Sequence, residues 1–572
     1  MPRSPLPTAR PFGFRSGAAF TVLYALLAAA LLWPWPLHLA TSGLPIPDFV
    51  GNVWVLEQNL HNWTTPGAEV VSSNAFWPHE KTFAYNEALF AQTLEYIPAR
   101  ALGAGPLLAH NLTLFATFPL CGLGAALLAF ELFGSRWGAF VAGLAFAFSS
   151  YRWDQFPHLQ SLSLQWLPLV LWSMVRYERT KEFKTLGALF TFALLLATSS
   201  GYSAVLCAVA GGAALTFLLV RPESRRSVLG SAAALIMAAA AVYLIFTPYR
   251  EAQQAFGMQR GGEVIDWSAR FNSFFKPSGY AVWPHLVWLR DQATTQKPLF
   301  AGTIPIALAL FGMVTLRRER AVRLMLAVGA ASLLLALGPR VFVFDLSFPG
   351  PFALLAELPV IGMLRTPSRI AAGTLLSIAI LAAAGLAALP PKQRRVMAPI
   401  LSALLLLEVW PRRLGPDLSR EIPKAPRTST WLKTAPTGPV LELPWTDQDM
   451  PAMYLYWAIE HWQPMVNGWG SFQPPGSLGL GFIGHRWPTP YTSRVFRRVG
   501  IRYIVVHARE MTDERKARLR PPELPAGVRL AADFGDDLVW EISPEGAVEE
   551  SVPGWPPGLY ARASSWRSGA GR

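Results

Sequence analysis

Charge is scarce in this chain, and acidic charge is scarcer than basic. Only 15% of its 572 residues are Asp, Glu, Lys or Arg, while 52% are hydrophobic. That balance excludes an ordinary soluble multidomain enzyme and places the chain among polytopic membrane proteins. Cysteine is nearly absent: Cys121 and Cys207 both lie inside apolar runs, so neither a disulfide framework nor a thiolate zinc site is supported. Acidic residues number 36 against 50 Lys and Arg, a formal net charge of +14. A basic excess can signal nucleic acid. Here the cations sit in short clusters between apolar runs, RYERTKEFK, RPESRRS, RRERAVR and PKQRR, the pattern of cytoplasmic loops under the positive-inside rule. No nucleic-acid partner is expected. A repeat of fixed period and a pairing of two halves of the spans are also lacking, which weighs against an inverted-repeat transporter.

What the chain has instead is long apolar runs. The basic N-terminus, 1–16, precedes an apolar stretch over 18–40, read as an uncleaved signal anchor because many more runs follow. These fall near 107–131, 137–150, 161–175, 185–199, 203–220, 228–247, 299–316, 322–338, 370–389 and 396–410, giving about eleven spans by hydropathy. With a cytoplasmic N-terminus, Arg136 and the clusters at 176–184, 221–226, 317–323 and 392–395 all fall on the cytoplasmic side. Residues 41–106 and everything after Trp410 then face the exterior.

The fold class expected is mainly α: a polytopic transmembrane helix bundle over 17–410, with a large exterior first loop at 41–106 and a small exterior C-terminal α/β domain over 411–543. Strand-like pieces carry that domain, GPVLELPW at 438–445, IRYIVVHA at 501–508 and DDLVWEI at 536–542, between Pro and Gly turns and a charged helical stretch, REMTDERKARLR. Residues 544–572, rich in Pro, Gly, Ser and Arg, read as a flexible tail.

A polar or ionisable residue near membrane depth is costly and usually kept for a reason. Five such groups share the predicted exterior face: Asp48 with Asn52 and Trp54, NAFWPHEKTFAYNEALFAQ at 74–92, SSYRWDQFPHLQS at 149–161, TSSGY at 198–202, and GMLRTPSRI at 362–370. They supply a carboxylate, a set of aromatic faces, and the cations Arg152, Arg365 and Arg369 with His158.

Their order and spacing resemble a branch of the GT-C superfamily of integral-membrane glycosyltransferases. The matching motifs are DFVGNVW, NAFWP, FSSYRWDQFPHLQ, SSGY and LRTPSR, and the resemblance runs from the first span to about Pro475, with HWQPMVNGWGSF and FRRVGIRYIVVH beyond the bundle. It implies a sugar moved from a polyprenyl-phosphate donor to an exterior acceptor by inverting displacement. Asp48 would be the general base. Arg365 and Arg369 would receive charge developing on the leaving phosphate, with Arg152 and His158 as second candidates. Asn52, Trp54 and Tyr202 would bind substrate, the two rings as stacking faces. The chain departs from the family pattern in one respect: Asp48 is followed by Phe49 rather than a second acid. Asp48 then acts alone or with a distant partner, Asp154, Glu57 or Glu87. A lone Asp is a poor cage for a hard cation, so no cofactor is required and the metal is unknown. The setting implied is a bacterial inner membrane, with membrane lipids as further partners.

Plainer readings stand beside these. Asp48 can cap a helix, Arg365 and Arg369 can bind lipid headgroups, His158 can be a satisfied interfacial histidine, and the tryptophans can form an interfacial belt. The rival functions are a transporter or flippase for a lipid-linked substrate, and a non-catalytic scaffold with a GT-C-like bundle.

Overall fold

Proline, serine and glycine decide where the apolar runs become helices. Pro106 and Pro391 stand at first helical positions, Ser135 and Ser200 accept hydrogen bonds from the N–H groups of Gly138 and Ser203, and Gly134 closes a helix in the left-handed conformation. The computed structural model describes residues 12–255, 263–281, 298–343, 346–355, 364–445, 449–474 and 476–543. The expected flexible tail and the first two residues of GMLRTPSRI lie outside them. The described chain divides into two units: Met1–Gly43, Leu89–Phe246 and Gln259–Arg420 form one, and Leu44–Ala88, Thr247–Met258 and Glu421–Arg572 the other.

The first unit is a helix bundle. Among the described residues, five helices are long and apolar enough to cross a membrane: Phe14–Leu31, Pro106–Phe133, Gly201–Leu219, Pro222–Ile245 and Pro367–Ala388. Phe183–Ser199 and Thr303–Thr315 are apolar but shorter. The run at 161–175 is broken into Leu159–Leu162 and Trp166–Thr180, and that at 137–150 gives a helix of 12 residues, Arg136–Ala147. Pro367–Ala388 is the central element, 89% buried, whereas Phe14–Leu31 is 17% and Pro222–Ile245 22% buried. Leu229, Ile236 and Leu244 on the last of these are more than two-thirds exposed, as suits a surface that lipid covers.

Small residues let the bundle close. A Cβ on Gly385 would sit 2.1 Å from the carbonyl oxygen of Leu308, and one on Gly312 2.5 Å from the Gly385 nitrogen, so Thr303–Thr315 and Ala372–Ala388 meet backbone to backbone. Tyr24 enters a similar gap between Pro106–Phe133 and Arg136–Ala147: its hydroxyl donates to the Phe140 carbonyl at 3.0 Å and occupies the space a Cβ on Gly143 would need.

One end of the bundle gathers three basic clusters. Arg176 and Arg179 pair with Glu131 at 3.3 and 3.0 Å. Glu178 holds Arg320 at 2.6 Å and accepts from Ser224 at 2.8 Å, while Lys181 contacts Ser227. The helices Phe183–Ser199 and Gly201–Leu219 lead away from this end for about 25 Å at the α-helical rise, and their turn at Ser199–Gly201 marks the opposite, polar end. A short hairpin, β1 (Arg340–Val343) with β2 (Leu346–Pro349), also belongs to this unit.

The second unit is built on a four-stranded sheet, β3 (Val440–Leu443), β4 (Tyr503–His507), β5 (Val528–Asp533) and β6 (Asp537–Ile542), in the order β3-β4-β6-β5. β3 and β4 are parallel, as their long helical crossover demands; the other pairs are antiparallel. Three of these strands fall within the pieces read from sequence. Leu441, Trp487, Phe496, Ile504, Val506 and Trp540 form the core.

Part of the expected exterior first loop, 44–88, belongs to this unit. Residues 44–88 contribute the helix Pro47–Thr64, whose inward face is fixed by Gly51 lying against the Trp469 ring. Backbone bonds from Phe76 N to Asn467 O, Trp77 N to Met465 O and Met465 N to Asn74 O weave the segment into 465–467. Asn86 Nδ2 donates to the Trp469 carbonyl at 3.0 Å.

Candidate functional site

The polar end of the bundle unit brings several expected residues together. Tyr202 begins the helix Gly201–Leu219, and its hydroxyl accepts the Thr366 N–H at 3.1 Å. Pro367 sets a 3₁₀ turn, Pro367–Ala371, that carries Arg369 over the Tyr202 ring, 4.7 Å from Cζ to centroid. Arg369 also acts electrostatically on Tyr151. Arg365, exposed, rests on a different ring, Trp267, at 5.7 Å; Ser368 N donates to the Trp267 carbonyl at 3.3 Å. Two arginines are thus held on aromatic faces by cation–π contact, and the planar fork of a guanidinium suits a phosphate. His158 is half-buried at the start of Leu159–Leu162.

Arg152 is placed differently from the expectation. It is fully buried, and its guanidinium donates to the Leu162 carbonyl at 2.6 Å, Thr117 Oγ1 at 2.9 Å and Cys121 Sγ at 3.3 Å, over the Phe118 ring at 4.5 Å. It ties the broken segment Leu159–Leu162 to the helix Pro106–Phe133.

Sequence reasoning passed over Glu95. On the helix Phe90–Ala101, Gln92 donates to the Ser199 carbonyl at 3.1 Å, and one turn on Glu95 Oε1 accepts from Gln165 Nε2 at 2.7 Å. Burial pushes the Glu95 carboxyl up to about 7, against the pull of its contacts with Gln165 and Trp166. Such a group exchanges a proton near neutral pH. The three-residue spacing of Gln92 and Glu95 on an amphipathic helix was the available signal.

In the other unit, Asp48 is half-buried in the first turn of Pro47–Thr64. Ile46 is the N-cap and Pro47 the first helical residue, so Asp48 is not the cap; its charge sits at the helix end that favours an anion. Glu57 lies nine residues on along the same helix, about 13 Å away on the opposite face by helix geometry, which removes it as an acidic partner. Asn52 is buried, 4% exposed. Trp54 is fully buried, with its indole N–H on Asn74 Oδ1 at 3.0 Å and its ring against Phe83. It is a packing residue rather than an open stacking face.

The sheet holds a second buried polar group. His507 at the end of β4 lies between Asp537 Oδ1, 2.8 Å from Nδ1, and Glu442 Oε2, 2.9 Å from Nε2, under the Tyr454 ring at 5.3 Å. Burial alone would lower its pKa; the hydrogen bonds and charges of Asp537 and Glu442 outweigh that and carry it to about 9. Among the described residues, no group of three His, Cys, Asp or Glu side chains is arranged to hold a metal ion.

Comparison with family models and with curated proteins finds no match. Among solved structures, the chain is similar to the arabinofuranosyltransferase AftD from Mycobacteria, with a TM-score of 0.61 and 16% identity over 94% of this chain and 40% of that one. The chain therefore spans well under half the length of AftD. AglB from Archaeoglobus fulgidus, an archaeal oligosaccharyltransferase, aligns over 96% of this chain and 77% of its own at a TM-score of 0.48 and 13% identity. ArnT from Cupriavidus metallidurans does so over 94% and 100% at 0.49 and 14%. With a helical bundle, a small C-terminal sheet unit and the AftD likeness running through both, the chain shares the fold of AftD.

Proposed function

We propose that the protein is an integral-membrane glycosyltransferase that moves a sugar from a polyprenyl-phosphate donor to an acceptor hydroxyl outside a bacterial inner membrane. The observation that carries this reading is the AftD-like fold over 94% of the chain, joined to the Arg369–Tyr202 and Arg365–Trp267 pairs at the polar end of the bundle. In the reaction, Asp48 takes the acceptor proton, the acceptor oxygen attacks the anomeric carbon, and the bond from that carbon to the phosphate oxygen breaks with its electron pair leaving on phosphate. The displacement inverts the anomeric centre. Phosphate is a good leaving group at neutral pH, so the arginines are asked for electrostatic stabilisation rather than acid catalysis. Trp54 and Arg152 are each engaged in packing within their own unit; Asn52 and His158 stay with substrate binding.

The test is transfer by purified protein in nanodiscs, with radiolabelled undecaprenyl-phosphate sugars and membrane extract as acceptor source. AftD's activity puts an arabinofuranosyl donor first in the panel. Wild type should transfer or slowly hydrolyse one donor, and Asp48→Asn should lose turnover while still binding it. Equal turnover in both proteins would remove Asp48 as base, and no turnover with any donor would count against the transferase reading itself.

A further inference from the structure

We propose that the C-terminal sheet unit carries a small pocket for one compact oxyanion, the carboxylate or phosphate of a sugar whose ring stays at the pocket mouth. A small, partly open pocket, large enough for one compact group, lies beside the β3–β4 pair. Its lining combines apolar Leu443, Val506, Met511 and Leu519 with polar His485, Arg515 and Arg518. No acidic side chain lines it.

Three features give the pocket its sign. Arg515 is directed at His485, its Nη2 lying 2.5 Å from the imidazole Nδ1 and 3.4 Å from the His485 carbonyl. Among the described residues Arg515 forms no ion pair, while Arg518 makes only a solvent-exposed pair with Glu514, which a bound anion can displace at little cost. A guanidinium facing a cavity without a carboxylate is a site awaiting one.

The second feature is the histidine. Accepting from Arg515 at Nδ1 leaves its proton on Nε2, so it offers a donor. Burial, and then the Arg515 charge, hold its pKa below the ordinary value, keeping it neutral.

The third is Trp487, which lines the pocket at 5% exposure and whose indole N–H has no acceptor among the described residues. A buried donor left unmade is expensive, and a ligand oxygen would satisfy it. Donors of positive character match an anionic group seated in the pocket.

The experiment is saturation-transfer NMR on the full chain in zwitterionic nanodiscs, titrating glucuronate, glucose 1-phosphate and glucose. Its readout is binding, so it is independent of the transferase reading. At least one anionic sugar should bind saturably and glucose not; which one distinguishes carboxylate from phosphate. Arg515→Gln should weaken binding about 10-fold, with Arg515→Lys intermediate, and Trp487→Phe, which keeps a ring but removes the N–H, several-fold. Should Trp487→Phe fail to fold, the exposed-helix Arg515 variants decide. Binding of glucose as tight as glucuronate, no saturable binding, or folded Arg515→Gln binding like wild type would each overturn the proposal.

Discussion

Arg369 and Tyr202 come from segments more than 160 residues apart, yet the guanidinium lies 4.7 Å from the ring centroid while the same tyrosine's hydroxyl receives the Thr366 N–H. One side chain therefore does two jobs: its face holds the cation and its hydroxyl holds the turn that presents it. The two can be separated. Tyr202→Phe removes the turn contact and keeps the face; Tyr202→Ala removes both. Donor KM should rise several-fold in the first and about 10-fold or more in the second, measured in the nanodisc assay. Equal effects would make the hydroxyl the whole contribution.

Arg152→Met should act on stability rather than on donor recognition. It leaves the Leu162 carbonyl and Thr117 hydroxyl without their donor inside the bundle, a loss of about 3 kcal/mol. Thermal unfolding in nanodiscs should show a clear drop, and any folded fraction should keep the wild-type donor KM.

The helix contact at Gly385 predicts a sharp steric response. Gly385→Ala places a methyl 2.1 Å from the Leu308 oxygen, so the helices must separate, at about 1–3 kcal/mol. Gly187→Ala, with open space around the new methyl, should be neutral or slightly stabilising. Melting temperatures of the two variants check the contrast.

His507 sets a pH dependence. Its folded pKa of about 9 lies above the ordinary 6.5, so its contribution is complete below pH 6.5 and is lost as pH rises through 9. The swing is about 3 kcal/mol. Melting followed between pH 6 and 10 should decline over that window in wild type and stay flatter in His507→Gln.

The sequence was most legible where burial imposes a period. Strands such as IRYIVVHA fell within the expected limits because a sheet core needs a continuous apolar run, and the basic clusters pointed to one bundle end because charge cannot cross lipid. It was least legible where polarity is used for packing. Arg152, Trp54 and Glu442 are the residue types one assigns to substrate, and nothing in local spacing shows that Thr117, Asn74 or His507 waits to receive them. Within 44–88, Gln58 donates to Asn62 Oδ1 and accepts the Asn74 N–H, while Asn74 Nδ2 donates to the Gln463 carbonyl far downstream, pairings that local spacing does not show.

That weaving also fixes an order of assembly. Asn74 and Asn86 meet partners about 385 residues later in the chain. At a synthesis rate of roughly 5–20 residues per second, the helix carrying Asp48 emerges about 20–80 s before the segment that covers Gly51 and Phe76 exists. During that interval its apolar face has no native cover. A chaperone or the membrane surface itself must shield it, and a chain truncated before residue 463 would present that face permanently as a target for quality-control proteolysis.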